Sequence, residues 1–428
     1  MVRPTELLAE IEGFALTTKA TLFADSAAAG GSSEQLSVGG VQVPRITNEL
    51  WTARQRQGHS LHELSYRACF KAELPRFFLE RLSAPGDVVF DPFMGRGTTL
   101  LEAALSGRVP HGNDANPLAR TLIEARLDPP ALDDIAERVT ALVRDCRDPG
   151  PESEQPELDV FYEERTLGEL RALRRWFLDR DAAGELDRVD RWLRMVCTNR
   201  LTGHSSGFFS TRTMPPNQAV GVDAQRRINL RLGLVPPRRD IAAIVIKKSR
   251  VLLRDVDAAV LATLNRVAER ARILIGDAAS LPTIKDGSVQ CTVTSPPFLN
   301  VVNYAKDNWL RCWFNGVDAA AIGRGITMSS SLANWCTFLE GVFAELYRVT
   351  RPGGWVVFEV GEVRRGELCL EEPVLPVAAA AGFEPVGVVV HAQQFTKTAN
   401  CWGVANNTKG TNTNRLVLLR RPNHATTR

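Results

Sequence analysis

Short, mostly apolar runs recur along the chain: Val88–Phe90, Ile273–Ile275, Val289–Val293, Trp355–Val360, Val386–Val390 and Leu416–Leu419. Such runs, bounded by Gly, Pro or Asp, are the pattern of strands buried on both faces. Between them, apolar residues recur at helical spacing over Arg76–Leu82, Thr98–Leu105, Leu167–Leu178, Val251–Ala271, Asn303–Phe314, Leu332–Val349 and Val374–Ala381. Alternating strands and helices predict an α/β fold with a mostly parallel sheet. Ahead of this pattern, residues 4–22 predict an amphipathic helix. Residues 24–42, small and Gly/Ser-rich, predict a mobile linker. Residues 127–271 postpone the strand at Arg272–Ile275 by about 145 residues. That stretch is largely helical by pattern, with a non-helical piece from Thr202 to Gln218.

Composition narrows the class. A chain of 428 residues predicts two or three domains. No apolar run approaches the ~18 residues of a membrane span, and no N-terminal segment resembles a signal peptide. The eight cysteines are scattered, without a Cys-x-x-Cys pair, so neither a zinc site nor a disulfide framework is indicated and no metal is expected. A reducing, cytoplasmic setting follows. The net charge of +3 does not by itself point to nucleic acid, but its distribution does. Arg200 to Arg254 carries eleven Lys/Arg against two Asp, a net +9 that leaves −6 on the rest. A concentrated basic segment is the footprint of phosphate binding; a solvated helix face is the plainer alternative. His204, Phe208, Arg212, Arg226, Arg227, Arg238 and Arg239 are the candidate contacts.

Two loops carry chemistry. Thr294-Ser295-Pro296-Pro297-Phe298 follows the Val289–Val293 strand. Each proline fixes its own φ and lacks an N–H, and Ser295 and Pro296 each precede a proline, which favours extended backbone. The result is a stiff strand-end loop offering the Ser295 hydroxyl and two carbonyls as acceptors, with an aromatic face next door at Phe298. A polyproline-like turn capping a strand is the plainer reading. The second loop, Asp91-Pro92-Phe93-Met94-Gly95-Arg96-Gly97-Thr98, joins the Val88–Phe90 strand to the Thr98–Leu105 helix. Strand, glycine turn and helix form the ligand-binding corner of a doubly wound sheet. Asp114, about 20 residues past the glycines at the end of a second short strand, stands where an acid accepts hydrogen bonds from ribose hydroxyls.

Together these two loops resemble the amino-methyltransferases of DNA, which use S-adenosylmethionine (SAM) to methylate the exocyclic nitrogen of cytosine or adenine. The Ser-Pro-Pro-aromatic form resembles the N4-cytosine members; Phe298 departs from the commoner Tyr. The resemblance covers about residues 60–126 and 272–420. It implies a Rossmann-like class I SAM methyltransferase fold: a seven-stranded, mostly parallel sheet, closed by an antiparallel pair at Val386–Val390 and Arg415–Leu419. A large, mainly helical recognition region is inserted in it. It divides the chain into an N-terminal helix and linker (1–45), a SAM-binding half (46–126), the recognition insert (127–271) and a catalytic half (272–428). By resemblance, Phe70, with Leu74 and Pro75, packs over the methionine part of SAM. Asp91, Pro92, Phe93, Gly95, Gly97, Thr98, Asp114, Asp277 and Thr294 line the cofactor, with Asp277 toward the adenine amine. Ser295, Pro296, Pro297 and Phe298 hold the flipped base. The implied partner is double-stranded DNA, with a restriction endonuclease as the cognate partner of a restriction-modification or related defence system. Adenine-N6 methylation, RNA base methylation and a non-catalytic DNA-binding role remain open alternatives.

Overall fold

The computed structural model describes residues 2–15, 31–51, 58–66, 69–145, 149, 157–214, 219–297, 304–325, 331–363, 368–392 and 413–423. Its strands are β1 (Ser32–Val38), β2 (Val41–Asn48), β3 (Val88–Asp91), β4 (Val109–Asp114), β5 (Arg272–Ile275), β6 (Val289–Thr294), β7 (Thr350–Val360), β8 (Glu362–Val363), β9 (Leu368–Cys369), β10 (Glu384–Ala392) and β11 (Thr413–Arg420). Its helices are α1 (Pro4–Glu12), α2 (Glu73–Leu82), α3 (Thr98–Leu105), α4 (Leu118–Leu127), α5 (Leu132–Asp145), α6 (Glu164–Ala183) and α7 (Arg188–Arg200), then α8 (Val222–Leu232), α9 (Ile241–Leu252), α10 (Ala258–Ala268), α11 (Tyr304–Phe314), α12 (Ala319–Gly325), α13 (Leu332–Val349) and α14 (Glu371–Ala380). Among the described residues no helix is long and apolar enough to cross a membrane.

The main sheet has nine strands in the order β1-β2-β10-β11-β7-β6-β3-β4-β5, and β8 pairs with β9 separately. The seven strands from β10 to β5 are those expected. β3 to β7 run parallel, and β11 lies antiparallel to both β7 and β10. The chain builds outward through β3, β4 and β5, then returns to place β6 on the other side of β3. The crevice beyond the carboxyl ends of the strands at such a reversal is where ligands bind in open α/β sheets. The mostly apolar runs follow from burial on both faces. Val356, Phe358 and Val360 of β7 pack with α13 and α14, while Trp355 and Val357 pack with α1 and α2.

The expected linker is the main departure. Of residues 24–42, those up to 30 lie outside the described residues, and the rest belongs to an ordered hairpin. β1 and β2 pair antiparallel around Gly39–Gly40, whose φ values of 57° and 81° are those of a tight hairpin turn. β2 then joins β10 in parallel, extending the sheet by two strands. Gly and Ser content hid a strand buried on both faces, Val43 packing with the α13–α14 cluster and Ile46 with the α1–α2 cluster. The N-terminal helix ends at Glu12; residues 16–22 of the expected span lie outside the described residues. The single helix expected over 251–271 is instead the end of α9 followed by α10. Asp257 starts the latter by accepting from the Val260 N–H at 2.8 Å.

The insert supplies α5 to α10. Its Trp192, Leu193, Ile241 and Val245 share one apolar cluster with Leu100, Leu101 and Ile123 of α3 and α4, and with Leu310 and Phe314 of α11. Asn315, just past α11, is buried against α7. It accepts from Arg194 Nε at 2.9 Å and donates to Thr198 Oγ1 at 2.9 Å. The insert is therefore fastened to the catalytic half by a shared core and by satisfied buried polar groups.

Candidate functional site

The site is assembled from neighbouring strand ends. Asp91 ends β3 and Thr294 ends β6, and the pairing Phe90↔Thr292 sets them side by side. Thr294 Oγ1 donates to Asp91 Oδ1 at 2.6 Å, and the Phe93 N–H reaches the same oxygen at 3.0 Å. Asp91 is buried, and desolvation pushes its carboxyl up to about 7. Thr99 of α3 donates to the carbonyl of Val293 at 2.9 Å, which fastens the helix after the glycine loop to the strand that carries the second loop.

The loop itself needs glycine. Gly97 has φ 76°, and a Cβ there would meet Ile123 Cδ1 at 2.7 Å. Gly95, at φ 49°, donates its N–H to Asp114 Oδ2 at 2.8 Å, while Asn116 N–H donates to Oδ1 at 2.8 Å. Burial raises the Asp114 carboxyl to about 6. Pro92 and Thr98 are buried, and Thr98 Oγ1 accepts from Arg96 Nε at 3.1 Å. Phe93 is half-buried, 6.1 Å from the ring of Phe338. Asp277 lies exposed just past β5, and Phe70 packs half-buried beside the cluster that holds Leu74 and Phe77. Asp91, Asp114 and Asp277 thus stand at or just past three strand ends as acceptors. That donor-seeking set fits a ligand carrying an ammonium, ribose hydroxyls and an aromatic amine.

In the second loop Ser295 is half-buried and Pro296 buried. The carbonyl of Pro297 accepts from Trp335 Nε1 at 3.0 Å. Phe298 lies outside the described residues. A group that sequence reasoning passed over completes this corner. The pairing Thr294↔Phe358 sets Ser295 beside Glu359. Glu359 is buried inside β7 and accepts hydrogen bonds from Ser295 and from Asn414, the latter at 2.9 Å. Desolvation pushes its carboxyl up to about 7, against those two bonds. The available signal was one acid inside the apolar run Trp355–Val360.

The basic segment resolves into separate places. His204 and Arg212 are exposed on one loop, closed by a bridge between Gly203 and Arg212. Phe208 of that loop is buried, with the Arg200 guanidinium 4.1 Å from its ring centroid. It supports Arg200 and does not present a free face. Arg226 and Arg227 are exposed on α8, and Arg226 is paired with Asp223 and Glu157. Arg238 is bound by Glu169 and Thr166, and Arg239 is half-buried beside it. The structure sets His204, Phe208 and Arg212 on one loop beside Arg200 and packs α8 against it, Gln225 Nε2 donating to the Arg212 carbonyl at 3.0 Å, while Arg238 and Arg239 are held against α6.

Residues 31–124 match a family model described as DNA methylase. A curated relative, the Type II methyltransferase M.MjaII of Methanocaldococcus jannaschii, is 35% identical over 74 residues. That is 17% of this chain and 14% of the relative, so the chain spans about one-seventh of that protein's length. Among solved structures, a protein of Thermus thermophilus assigned as a DNA modification methylase, complexed with S-adenosyl-L-methionine, is 20% identical. It covers 36% of this chain and 56% of its own, with a TM-score of 0.22. A geranyl diphosphate C-methyltransferase of Streptomyces coelicolor A3(2) is 9% identical over 82% of this chain and 76% of its own, with a TM-score of 0.31.

Proposed function

We propose that this protein is a SAM-dependent DNA methyltransferase acting on the exocyclic N4 of a flipped-out cytosine, within a restriction-modification or related defence system. The observation that carries the reading is the Ser295–Glu359 pair, set in a rigid Pro-Pro loop one residue beyond the Thr294–Asp91 contact. The resemblance of residues 31–124 to DNA methylases supports the class, and Ser295 in place of an acid or amide favours cytosine.

The bound cofactor supplies an electrophilic methyl group. Asp114 accepts from ribose hydroxyls, Asp277 from the adenine amine, and Asp91 faces the ammonium end. A base within a duplex hides its amine, and flipping it costs a few kcal/mol. The loop receives the flipped base with the Ser295 hydroxyl and the Pro296 carbonyl as acceptors, and the resemblance assigns the stacking face to Phe298. Because Ser295 donates its own proton to Glu359, its oxygen is free to accept an amine N–H. That bond weakens conjugation of the nitrogen lone pair with the ring and turns it toward the methyl. As positive charge develops on nitrogen, its proton passes to Ser295 while the serine proton passes to Glu359, ending as a carboxylic acid and an unchanged serine. A carboxyl raised to about 7 is suited to accepting that proton near neutrality.

The test is methyl transfer from labelled SAM to genomic DNA, followed by nucleoside analysis. N4-methylcytosine is expected; N6-methyladenine would move the reading to adenine, and label on RNA alone would end the DNA reading. Glu359→Gln should slow single-turnover transfer by roughly 10²–10⁴ and remove the acidic limb of the pH–rate profile near pH 7. A normal rate in this variant would remove Glu359 from the chemistry.

A further inference from the structure

Beside the cofactor loop, three cations converge from segments far apart in sequence. Arg200 closes α7, Lys248 lies on α9 and Arg311 on α11, and all three are half-buried. They surround the strand of chain at Glu63–Tyr66. Arg311 Nη2 donates to the Ser65 carbonyl at 3.1 Å and Lys248 Nζ to the Glu63 carbonyl at 2.5 Å. Tyr66 lies against the glycine loop, its ring atom 3.7 Å from where a Cβ on Gly95 would stand. The cluster therefore borders the cofactor crevice on its insert side.

The charges are offset only in part, by Asp307 near Arg311 and Glu63 near Lys248. Among the described residues, neither Arg200 nor Arg311 nor Lys248 forms a carboxylate ion pair, and their hydrogen bonds go to carbonyls and amides. Glu63, the acid facing Lys248, is bound by Arg254 at 3.0 Å. Arg200 Nε is buried with no partner among the described residues, although its guanidinium is held in place by Asn199 Oδ1 at 2.6 Å and by the face of Phe208. Buried donors are normally satisfied, and an orphan in a fixed frame signals a missing acceptor. The like charges also feel one another. Burial and Arg311 lower the Arg200 pKa to about 10; burial and Arg200 lower that of Lys248 to about 8. An anion seated among them would relieve both the orphan donor and the repulsion. Two guanidinium forks and an ammonium match a tetrahedral oxyanion.

We propose that Arg200, Lys248 and Arg311 form a preformed seat for one backbone phosphate of the bound DNA strand, at the edge of the cofactor crevice. The proposal rests on the DNA methyltransferase reading. It also gives the α7–α11 polar contact a role, since that contact holds two of the three cations in fixed relation.

The experiment uses the full chain and a mixed-sequence duplex, with affinity measured by anisotropy over a range of salt. Arg200→Gln and Lys248→Met should each weaken binding and reduce the salt slope by about 0.9, one phosphate contact. Arg200→Lys, which keeps the charge, should retain most of the slope, an outcome that a purely structural arginine would not give. Calorimetric SAM affinity should match wild type in all three, which also shows that the crevice is folded. Lost SAM affinity with an unchanged DNA slope would mean that the seat takes the cofactor carboxylate, and would overturn the proposal. Unchanged slope and unchanged SAM affinity would overturn it too, while methylation by the same variants would leave the methyltransferase reading standing. Failure of wild type itself to bind duplex or transfer methyl would bring down both.

Discussion

Asp114 does two things with one carboxylate. One oxygen holds the Gly95 N–H and the other the Asn116 N–H, so the acid shapes the glycine loop as well as facing the crevice. Asp114→Ala should weaken SAM binding by roughly 1.5–3 kcal/mol for each charge-assisted bond to ribose that is lost. Loosening of Gly95 would add to this, while duplex affinity changes little. Asp114→Asn should fall between the two. Calorimetry decides it, and an unaltered SAM affinity in the alanine variant would remove Asp114 from the cofactor site. Residues of this kind are legible in sequence because they sit at short, fixed spacings on one strand–turn–helix unit. Glu359 and Asn414 are not. Their contact with Ser295 arises from sheet register, with Thr294 facing Phe358 and Glu359 facing Leu416, and no local pattern encodes register between strands so far apart.

Among elements, the β1–β2 hairpin shows why composition misled. A Gly-Gly pair and several serines suit a linker, but they suit a two-residue hairpin turn with a solvated outer strand equally well. The hairpin is fastened through Asn48, which ends β2. Its side-chain N–H groups donate to the carbonyls of Ile11 at 2.8 Å and Phe14 at 2.9 Å, satisfying the end of α1. Beyond it, the Leu50 N–H donates to His391 Nδ1 at 3.0 Å, and Trp51 stacks on that ring at 3.9 Å. Asn48→Ala should leave those carbonyls unpaired and cost about 1–3 kcal/mol, read as a lower urea midpoint with an unchanged slope. A midpoint equal to wild type would mean that the hairpin adds nothing to global stability. The strands of the catalytic halves were legible because burial on both faces writes itself as short, mostly apolar runs. The packing of the insert was not, because its helices bury against α3, α4 and α11 in one cluster that no segment announces alone.

At the scale of the whole molecule, buried titratable groups act on stability in opposite directions. Burial raises Asp91 to about 7, Asp114 to about 6 and Glu359 to about 7. Each holds its proton in the folded state where the unfolded chain has lost it, so each contributes stability at low pH that is lost as pH rises through the folded value. Burial lowers His62 and His111 to about 4 and His391 to about 3. These remain neutral in the fold while the unfolded chain protonates near 6.5, so their contribution is lost as pH falls below that value. The two sets oppose each other between about pH 4 and 6.5, and the net profile of the wild type should be shallow. The carboxyl contribution emerges only by difference. Glu359→Gln removes one raised group and leaves the histidines untouched. Going from pH 6 to pH 8, its stability relative to wild type should therefore rise by about 1.4 kcal/mol, the equivalent of one pH unit of uncompensated proton binding. Paired urea titrations at the two values measure this. Parallel profiles would mean that Glu359 is ionised in the folded protein throughout this range, and its place as a neutral-pH proton acceptor would be lost with it.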